Sequence, residues 1–357
     1  MAAYLGLIIL LIIQGHLLSV KGRRLDKLFV ILSFLEILFI AGLRVPVGGD
    51  SEEYIDMYLV KSQMKLSDFF VYRFELGFDL FCYLSSKISK NPQMLIFSST
   101  AFINFFVLRY IYKNCKIPWL GVVFYITFGF FFEALNLMRF LIACSILIYA
   151  NYYIINRSFV RTLLIVLIAS SFHFSALLYM LLYFAYYFRL NIKTILLAIV
   201  VFVIVSKTFL DLFSLLIQFN TKYTSYANGN GDFDQSSFAN ILLMVLQLFI
   251  FLYIILMVKN RLSVLERFEK LAIISLFIAL LMSVAAIKIM MFTRFLTMFS
   301  LIEIVFIPNL LYKYYRKPIY YLHTLLFLVV TLSEVVVIFL YRPEWYAILP
   351  YRNYLFE

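Results

Sequence analysis

Charged residues are scarce in this chain: they make up 14% of 357 residues, against roughly 25% in an ordinary soluble domain. Apolar residues account for 64% and aromatic residues for 19%. A water-soluble fold of this length could not bury so much apolar surface. The composition therefore excludes a soluble domain, and the chain also lacks an internal repeat and a low-complexity tract.

Cysteine and histidine are rare as well, with three of each. Cys82, Cys115 and Cys144 are scattered and form no CxxC pair, which argues against a disulfide framework and a zinc site. His16 and His323 lie within apolar runs and are interpreted as packing residues. His173 is therefore the histidine of functional interest.

Long apolar runs, each of about 18 residues or more, recur from end to end and indicate bilayer spans. They predict an all-α fold: a polytopic transmembrane helical bundle of about twelve spans, forming a single integral membrane domain over residues 1–357. The predicted spans are 4–20, 27–43, 93–112, 117–133, 138–156, 193–210, 238–258, 270–288, 293–312 and 318–340, with the stretch 160–188 counted as two.

The formal net charge of +12 follows from Lys and Arg in short loops between spans. Such loops mark the cytoplasmic side, so we predict no nucleic-acid partner. The basic clusters all fall on that side only if 160–188 crosses twice, as a re-entrant-like hairpin that turns near residues 171–174. A turn below the membrane surface is tolerated where it lines a wet or protein-lined cavity.

Two long segments then face the opposite side of the membrane. Residues 44–92 form the first, and residues 76–90 within it are predicted as an amphipathic helix in the interface. Residues 211–237 form the second. We expect the functional polar groups on this face, opposite the basic loops.

Three arginines lie at the outer ends of predicted spans, namely Arg44, Arg139 and Arg294. Charges near a bilayer require a partner or a function. One interpretation is that these side chains reach the lipid headgroups. The other is that they form a cluster which binds a diphosphate, for which a planar guanidinium is well suited.

Candidate bases come from the same outer face. His173 is either a satisfied histidine at the hairpin turn or a base or donor to a leaving group. Asp50 and Glu75 belong either to a solvated acidic loop or to a site that deprotonates a sugar hydroxyl. Tyr54 and Tyr72 could stack on sugar faces, although interfacial tyrosines are common in membrane proteins.

Carboxylates elsewhere leave further alternatives open. The segments Asp50–Glu52 and Asp232–Asp234 match a short metal-binding pattern that also arises by chance. Because basic residues can neutralise phosphate without a metal, we predict neither a metal nor a cofactor. Three glutamates inside spans either pair within the bundle or line a path: Glu36, Glu303 and Glu334.

A series of short motifs resembles the EpsG-like, Wzy-type polysaccharide polymerases, from span two to span eleven. In chain order the motifs are Arg44…Gly48-Gly49-Asp50…Tyr54, Glu75-x-Gly77-Phe78, Arg139-x-x-Ile142-Ala143, Phe172-His173-x-Ser175-Ala176-Leu177 and Arg294. Gly49 departs from the family pattern, in which many relatives have Thr before the Asp.

The resemblance implies an architecture similar to that of the glycosyltransferase C superfamily, with long periplasmic loops, in the bacterial inner membrane. It implies a glycosyltransferase that joins oligosaccharide repeat units carried on undecaprenyl diphosphate into O-antigen, capsule or exopolysaccharide, with the active site facing the periplasm. Membrane lipids, a chain-length regulator and a flippase are the implied partners. On this interpretation Arg139, Arg294 and Arg44 bind the diphosphate, and His173, Asp50 or Glu75 is the base.

Two other classes of function remain open from the sequence. One is a transporter of glycan or lipid intermediates, which would have matching halves and charged pairs at the bilayer midplane. The other is a different lipid-linked-sugar glycosyltransferase or an acyltransferase acting on surface glycans. A structural or assembly protein of the membrane is the non-catalytic alternative.

Overall fold

The fold was analysed in a computed structural model that describes residues 2–18, 23–45, 50–65, 75–188, 193–204, 237–259, 264–287, 291–341 and 348–356. Across these ranges the regular structure is helical, and the one isolated antiparallel bridge joins Arg44 and Asn353. The predicted all-α fold is therefore confirmed.

The helices follow the predicted spans closely. In the first half of the chain they are α1 (Ala2–Leu18), α2 (Arg23–Ile37) with a π-helical turn at Leu38–Gly42, α3 (Ser51–Gln63), α4 (Leu76–Ile88), α5 (Gln93–Asn114), α6 (Pro118–Thr127), α7 (Phe130–Asn136), α8 (Met138–Leu147), α9 (Ala150–Ile155) and α10 (Phe159–Ser170). A 3-10 helix (Phe174–Tyr179) and α11 (Met180–Ala185) come next. The remaining helices are α12 (Lys193–Ile204), α13 (Ser237–Val258), α14 (Arg267–Ala286), α15 (Phe292–Ser300), α16 (Glu303–Tyr312) and α17 (Pro318–Tyr341).

Six helical stretches in the described residues are long and apolar enough to cross a membrane, or seven when the bent pair α6 and α7 counts as one span. Four apolar helices are shorter, at 10–17 residues: Ala3–Leu18, Phe159–Ser170, Phe174–Ala185 and Lys193–Ile204. Because each residue adds 1.5 Å of rise, a 12-residue helix covers only about 18 Å of a core roughly 30 Å thick. The chain is thus a membrane protein with at least several spans, while the count of twelve and the glycosyltransferase C architecture stay predictions.

The chain divides into two compact units, residues 1–180 with 301–357 and residues 181–300. In the first unit, α6 is central: it packs against α1, α2, α16 and α17. A Cβ at Gly121 of α6 would lie 2.8 Å from the Ile304 carbonyl oxygen of α16. Glycine at this position therefore allows the two backbones to approach closely, as small residues do between membrane helices.

Buried polar side chains in the second unit donate to backbone carbonyls. In this unit α14 packs against α13 and α15. The Asn240 side chain donates to the Ala286 carbonyl at 2.8 Å, and the Ser275 hydroxyl donates to the Phe299 carbonyl at 2.6 Å. These bonds satisfy polar groups inside an apolar bundle, where an unpaired group costs free energy.

The glutamates predicted inside spans are paired or buried. Glu36 of α2 accepts a hydrogen bond from the Gln14 side chain of α1. Glu303 is fully buried at the start of α16, and Glu334 of α17 is buried and interacts electrostatically with it. Of the two interpretations, pairing within the bundle or lining a path, the contact with Gln14 favours pairing for Glu36.

Residues 44–92 contain more helix than the sequence analysis predicted. The predicted helix at 76–90 is present as α4, but α3 precedes it and packs against it. The buried Tyr54, Tyr58 and Ser62 of α3 are spaced four residues apart, which is the periodicity of one helix face. A salt bridge of 3.0 Å between Lys61 Nζ and Asp79 Oδ1 joins the two helices. The segment 44–92 therefore contains two packed helices, and its assignment as a periplasmic loop stays a prediction.

Candidate functional site

Arg139, in the first turn of α8, is the centre of a polar cluster in the first unit. Its Nη1 donates to Glu75 Oε2 at 3.0 Å, and its Nη2 lies 3.9 Å from Glu53 Oε1. The guanidinium carbon is 5.3 Å from the ring centroid of Tyr54 and 5.7 Å from that of Phe78. Two carboxylates and two aromatic faces therefore surround a cation whose side chain is 25% exposed, an arrangement that combines ion pairing with cation–π contact.

Glu75 connects Arg139 to the turn that carries the candidate histidine. It stands immediately before α4, and its second carboxylate oxygen, Oε1, accepts a hydrogen bond from the Phe174 backbone N–H at 3.1 Å. Its side chain is 24% exposed. One carboxylate thus bridges the start of α8 and the first residue of the 3-10 helix.

A close backbone approach fixes the same turn against α4. The Gly77 N–H donates to the Ser171 carbonyl at 2.7 Å, and the Phe78 N–H donates to the same oxygen at 3.4 Å. A Cβ at Gly77 would lie 2.3 Å from Ser171 Oγ and 2.9 Å from its carbonyl carbon and oxygen. Glycine is required here because any side chain would push the turn away.

His173 is the N-cap of the 3-10 helix. Its backbone is extended, with φ −151°, and its Nδ1 accepts a hydrogen bond from the Ser175 N–H at 3.3 Å. The Ser175 hydroxyl lies 2.8 Å from the same nitrogen. The edge of the half-buried ring faces Phe140 of α8, with centroids 5.4 Å apart. His173 therefore packs against the helix that carries Arg139.

Asp50 lies beside the segment that leads into α8. It is the N-cap residue of α3, and its carbonyl accepts the helix hydrogen bond from the Tyr54 N–H at 3.1 Å. Its own N–H donates to the Asn136 side-chain oxygen at 3.2 Å. Asn136 stands three residues before Arg139. The Asp50 backbone is therefore hydrogen-bonded to the last residue of α7, just before the helix that carries Arg139.

Arg44 has a different environment, since its side chain is 1% exposed. The guanidinium donates to the backbone carbonyls of Ala41 and Leu135, the latter at 2.6 Å, and to the Thr100 hydroxyl at 3.4 Å. Its backbone pairs with Asn353 near the C-terminus. These contacts favour a structural role, and its predicted role in diphosphate binding stays a prediction.

Two side chains at the α3–α4 contact, Cys82 and Tyr58, are held neutral. Burial, followed by the nearby charge of Asp79, raises the pKa of the Cys82 thiol to about 12. Burial also raises the pKa of the Tyr58 hydroxyl to about 12. Neither group ionises near neutral pH, so the acid–base chemistry of this region rests on the carboxylates and on His173.

A groove of about 640 Å³ runs along the exposed face of α3. It is lined by Glu52, Glu53, Asp56, Met57, Val60 and Lys61. Because Glu53 also lies 3.9 Å from Arg139 Nη2, the groove opens beside the Arg139 cluster.

The remaining predicted residues belong to the second unit or lie outside the described ranges. Arg294 belongs to α15 in the second unit, and its N–H donates to the Met291 carbonyl at 3.3 Å. Tyr72 and residues 211–236 of the second loop lie outside the described residues. Their predicted roles stay predictions.

In the part of the chain that the structure describes, no group of three or more His, Cys, Asp or Glu side chains is arranged to hold a metal ion. Asp50 and Glu52 meet no third ligand there, and the pattern at residues 232–234 falls outside the described ranges. The predicted metal independence stays a prediction.

Sequence reasoning did not predict the contacts that Glu53, Phe78 and Asn136 make in the site. Phe78 belongs to the motif Glu75-x-Gly77-Phe78 and Asn136 stands three residues before Arg139, but neither pattern indicated a partner. Glu53 is one of the carboxylates of the segment 44–92, and helix periodicity alone could not place it near Arg139.

The EpsG family matches residues 27–353 of this chain. The match contains both the first unit's polar cluster and the second unit's Arg294. No curated protein and no solved structure matches the chain.

Proposed function

The chain belongs to the EpsG family, whose members are Wzy-type polymerases of exopolysaccharide or O-antigen, and we propose that it joins undecaprenyl-diphosphate-linked oligosaccharide repeat units into a surface polysaccharide. On this proposal it is a glycosyltransferase of the bacterial inner membrane, acting on the periplasmic face without a metal. Membrane lipids surround it, and a flippase and a chain-length regulator are its partners.

The proposal is supported by one observation: three distant segments of the chain meet at the carboxylate of Glu75. Glu75 contacts Arg139 at 3.0 Å and the Phe174 N–H at 3.1 Å, and Phe174 follows His173. These residues are separated by 64 and 99 positions from Glu75. A cation, a carboxylate and an imidazole in one region are the groups that glycosyl transfer from a lipid diphosphate requires.

In the proposed reaction, a hydroxyl of the acceptor repeat unit attacks the anomeric carbon of the donor glycan. The new C–O bond forms as the bond between that carbon and the diphosphate oxygen breaks. The diphosphate takes the electron pair, and the base takes the proton of the attacking hydroxyl. Negative charge therefore develops on the leaving group, where a preorganised cation has its largest effect.

Arg139 is the first choice for binding the diphosphate. Its Nη groups face Glu75 and Glu53 and its side chain is 25% exposed, so a phosphate oxygen can reach the guanidinium by displacing a carboxylate. Arg294 is the other predicted diphosphate-binding residue, with Arg44 as the third choice. His173, Asp50 and Glu75 are the candidates for the base.

The acceptor sugars would lie along the groove on α3, which opens beside Arg139. Tyr54 stays a proposed sugar-binding residue, although it is 3% exposed and its ring faces the guanidinium at 5.3 Å. Tyr72, which lies outside the described residues, is the other residue proposed to bind sugar.

The test uses a strain from which the gene has been deleted, complemented with variants whose abundance in the membrane is measured. Arg139→Ala should abolish long chains while single lipid-linked repeat units remain, and Arg139→Lys should also fail because an ammonium cannot reproduce a planar fork of donors. The matched control is Arg161→Ala, since Arg161 is exposed and its guanidinium carbon lies 5.9 Å from the ring centroid of Tyr153, outside the Arg139 cluster.

Three outcomes decide the matter. Loss of the polysaccharide ladder with accumulation of one repeat unit supports polymerisation. Loss of the repeat unit itself indicates a different lipid-linked-sugar glycosyltransferase. A normal ladder from a well-expressed Arg139→Ala variant removes the proposed role of the cluster.

A further inference from the structure

The imidazole of His173 is held by two groups of one residue. The backbone N–H of Ser175 points at His173 Nδ1 from 3.3 Å, and the Ser175 hydroxyl lies 2.8 Å from the same atom. A backbone N–H can only donate a hydrogen bond. His173 Nδ1 must therefore be the acceptor, which means that it carries a lone pair and not a proton.

From this geometry we infer that neutral His173 carries its proton on Nε2, and that Ser175 is the positioning residue which fixes this tautomer. The hydroxyl of Ser175 can donate or accept, but beside an unprotonated Nδ1 it donates. The tautomer of a histidine is set by the hydrogen bond that its other nitrogen makes. In the opposite tautomer the Ser175 hydroxyl could accept from Nδ1–H, but the backbone N–H would lose its acceptor, so the backbone bond decides the tautomer.

Backbone hydrogen bonds on both sides of His173 also hold its ring in place. The residue before the histidine, Phe172, follows Ser171, whose carbonyl accepts from Gly77 at 2.7 Å. The residue after it, Phe174, donates to Glu75 at 3.1 Å. The turn is thus tied to α4 on both sides of His173, and Phe140 packs against the ring edge.

The consequence for the reaction rests on the proposed function. With its proton on Nε2 and its lone pair on Nδ1 engaged by Ser175, neutral His173 has no available lone pair with which to deprotonate a sugar hydroxyl. It acts instead as a hydrogen-bond donor to an oxygen of the diphosphate, with no net transfer of its proton. The proton of the attacking hydroxyl then goes to a carboxylate, Asp50 or Glu75, while the diphosphate takes the electron pair of the broken bond.

The tautomer can be measured without any assay of polymerisation. The chain has three histidines, so protein labelled with ¹⁵N at histidine gives three ring systems, and His173→Asn identifies the signals of residue 173. Long-range couplings of the ring nitrogens to Hδ2 and Hε1 show which nitrogen is protonated. The inference requires protonation of Nε2 in the neutral wild-type ring, and protonation of Nδ1 would overturn it.

Substitution of Ser175 tests the positioning role. Ser175→Ala removes the hydroxyl and keeps the backbone donor, so Nε2 should stay protonated while the ¹⁵N shift of Nδ1 changes with the loss of one hydrogen bond. Ser175→Thr keeps the hydroxyl and should restore the wild-type Nδ1 shift. Equal spectra for wild type and Ser175→Ala would show that the hydroxyl has no positioning role.

Two further variants separate a donor from a base. In His173→Gln the amide nitrogen replaces the Nε2–H donor, whereas in His173→Asn the shorter side chain supplies a good cap acceptor but no donor at that position. If His173 donates a hydrogen bond, His173→Gln retains polymerase turnover above that of His173→Asn, and the acidic limb of the pH–rate profile persists in both. If both variants lose activity to the same extent, or if the acidic limb is missing from the residual activity of both, His173 is the base and the inference fails. A lack of polymerase activity in the wild type would refute the proposed function while leaving the tautomer result intact.

Discussion

A single methyl group at residue 77 should separate α4 from the turn that holds His173. In Gly77→Ala the added Cβ would lie 2.9 Å from the carbonyl carbon and oxygen of Ser171, and 2.3 Å from its Oγ. Rotation of the Ser171 side chain could relieve the second contact, at the loss of its 2.7 Å bond to the Ile168 carbonyl. It could not relieve the first, because those atoms are backbone.

The magnitude follows from three contributions. Ordinary contact begins near 3.4 Å, so the turn must move by roughly 0.5 Å, and overpacking of this kind costs about 1–3 kcal/mol. Weakening the Gly77 N–H bond to Ser171 adds about 1 kcal/mol. The better helix propensity of alanine returns about 1 kcal/mol. The net loss in free energy of unfolding should therefore be about 1–3 kcal/mol.

The assay compares thermal unfolding of the purified protein in detergent with the length of the polysaccharide ladder. Gly6→Ala is the matched control, because nothing lies within 4 Å of a Cβ at Gly6 and the helix should be unchanged or slightly stabilised. Ser171→Ala in the Gly77→Ala background should recover only part of the loss, since the backbone contact remains. Unaltered stability together with a wild-type ladder for Gly77→Ala would refute the close approach of α4 and the turn.

Three further predictions address neighbouring groups. Arg44→Lys should destabilise the protein by about 1–3 kcal/mol, because one ammonium cannot replace the two carbonyl contacts of a buried guanidinium; a stable but inactive variant would instead favour a role in diphosphate binding. Glu75→Gln should lower polymerase turnover far more than Glu53→Gln, since Glu75 lies 3.0 Å from Arg139 whereas Glu53 lies 3.9 Å away and is 66% exposed; equal effects in kinetic assays would contradict this ranking. Cys82 should resist maleimide until the protein unfolds. Because its folded pKa of about 12 exceeds the unfolded value near 8.5, its contribution to the free energy of unfolding should be constant below pH ~8.5 and fall as the pH rises toward 12. Unfolding of the wild type and of Cys82→Ala at several pH values would show this dependence.

Hydropathy predicted the helices well because the bilayer imposes the same requirement on every span. Each predicted span from 93–112 to 318–340 has a helix at its position, and the break predicted near residues 171–174 coincides with the turn between α10 and the 3-10 helix. Lipid offers no hydrogen-bond partners, so an apolar run must form a helix whatever its neighbours are. The prediction therefore needed no knowledge of packing.

Side-chain partners could not be predicted in the same way, because they depend on which helix ends meet. Arg44 and Arg139 have similar positions at the ends of predicted spans, but Arg44 is closed off by backbone carbonyls while Arg139 remains partly exposed among carboxylates. Nothing in the residues flanking Arg44 indicates that the Leu135 carbonyl, 91 positions away, would reach it. Local pattern alone therefore treats the two arginines as equivalent.

The partial exposure of the Arg139–Glu75 pair is what makes it compatible with a ligand-binding role. A fully buried ion pair is difficult to separate, because removing one partner leaves an uncompensated charge and costs about 3–5 kcal/mol. Exposed pairs contribute about 0–1 kcal/mol, and this one, with both side chains about a quarter exposed, lies between those limits. A diphosphate carries more charge than one carboxylate and offers several oxygens to the same guanidinium, so it can displace Glu75 from Arg139. The displaced carboxylate would keep its other oxygen on the Phe174 N–H, and would therefore remain beside His173 at the moment when the diphosphate occupies the arginine.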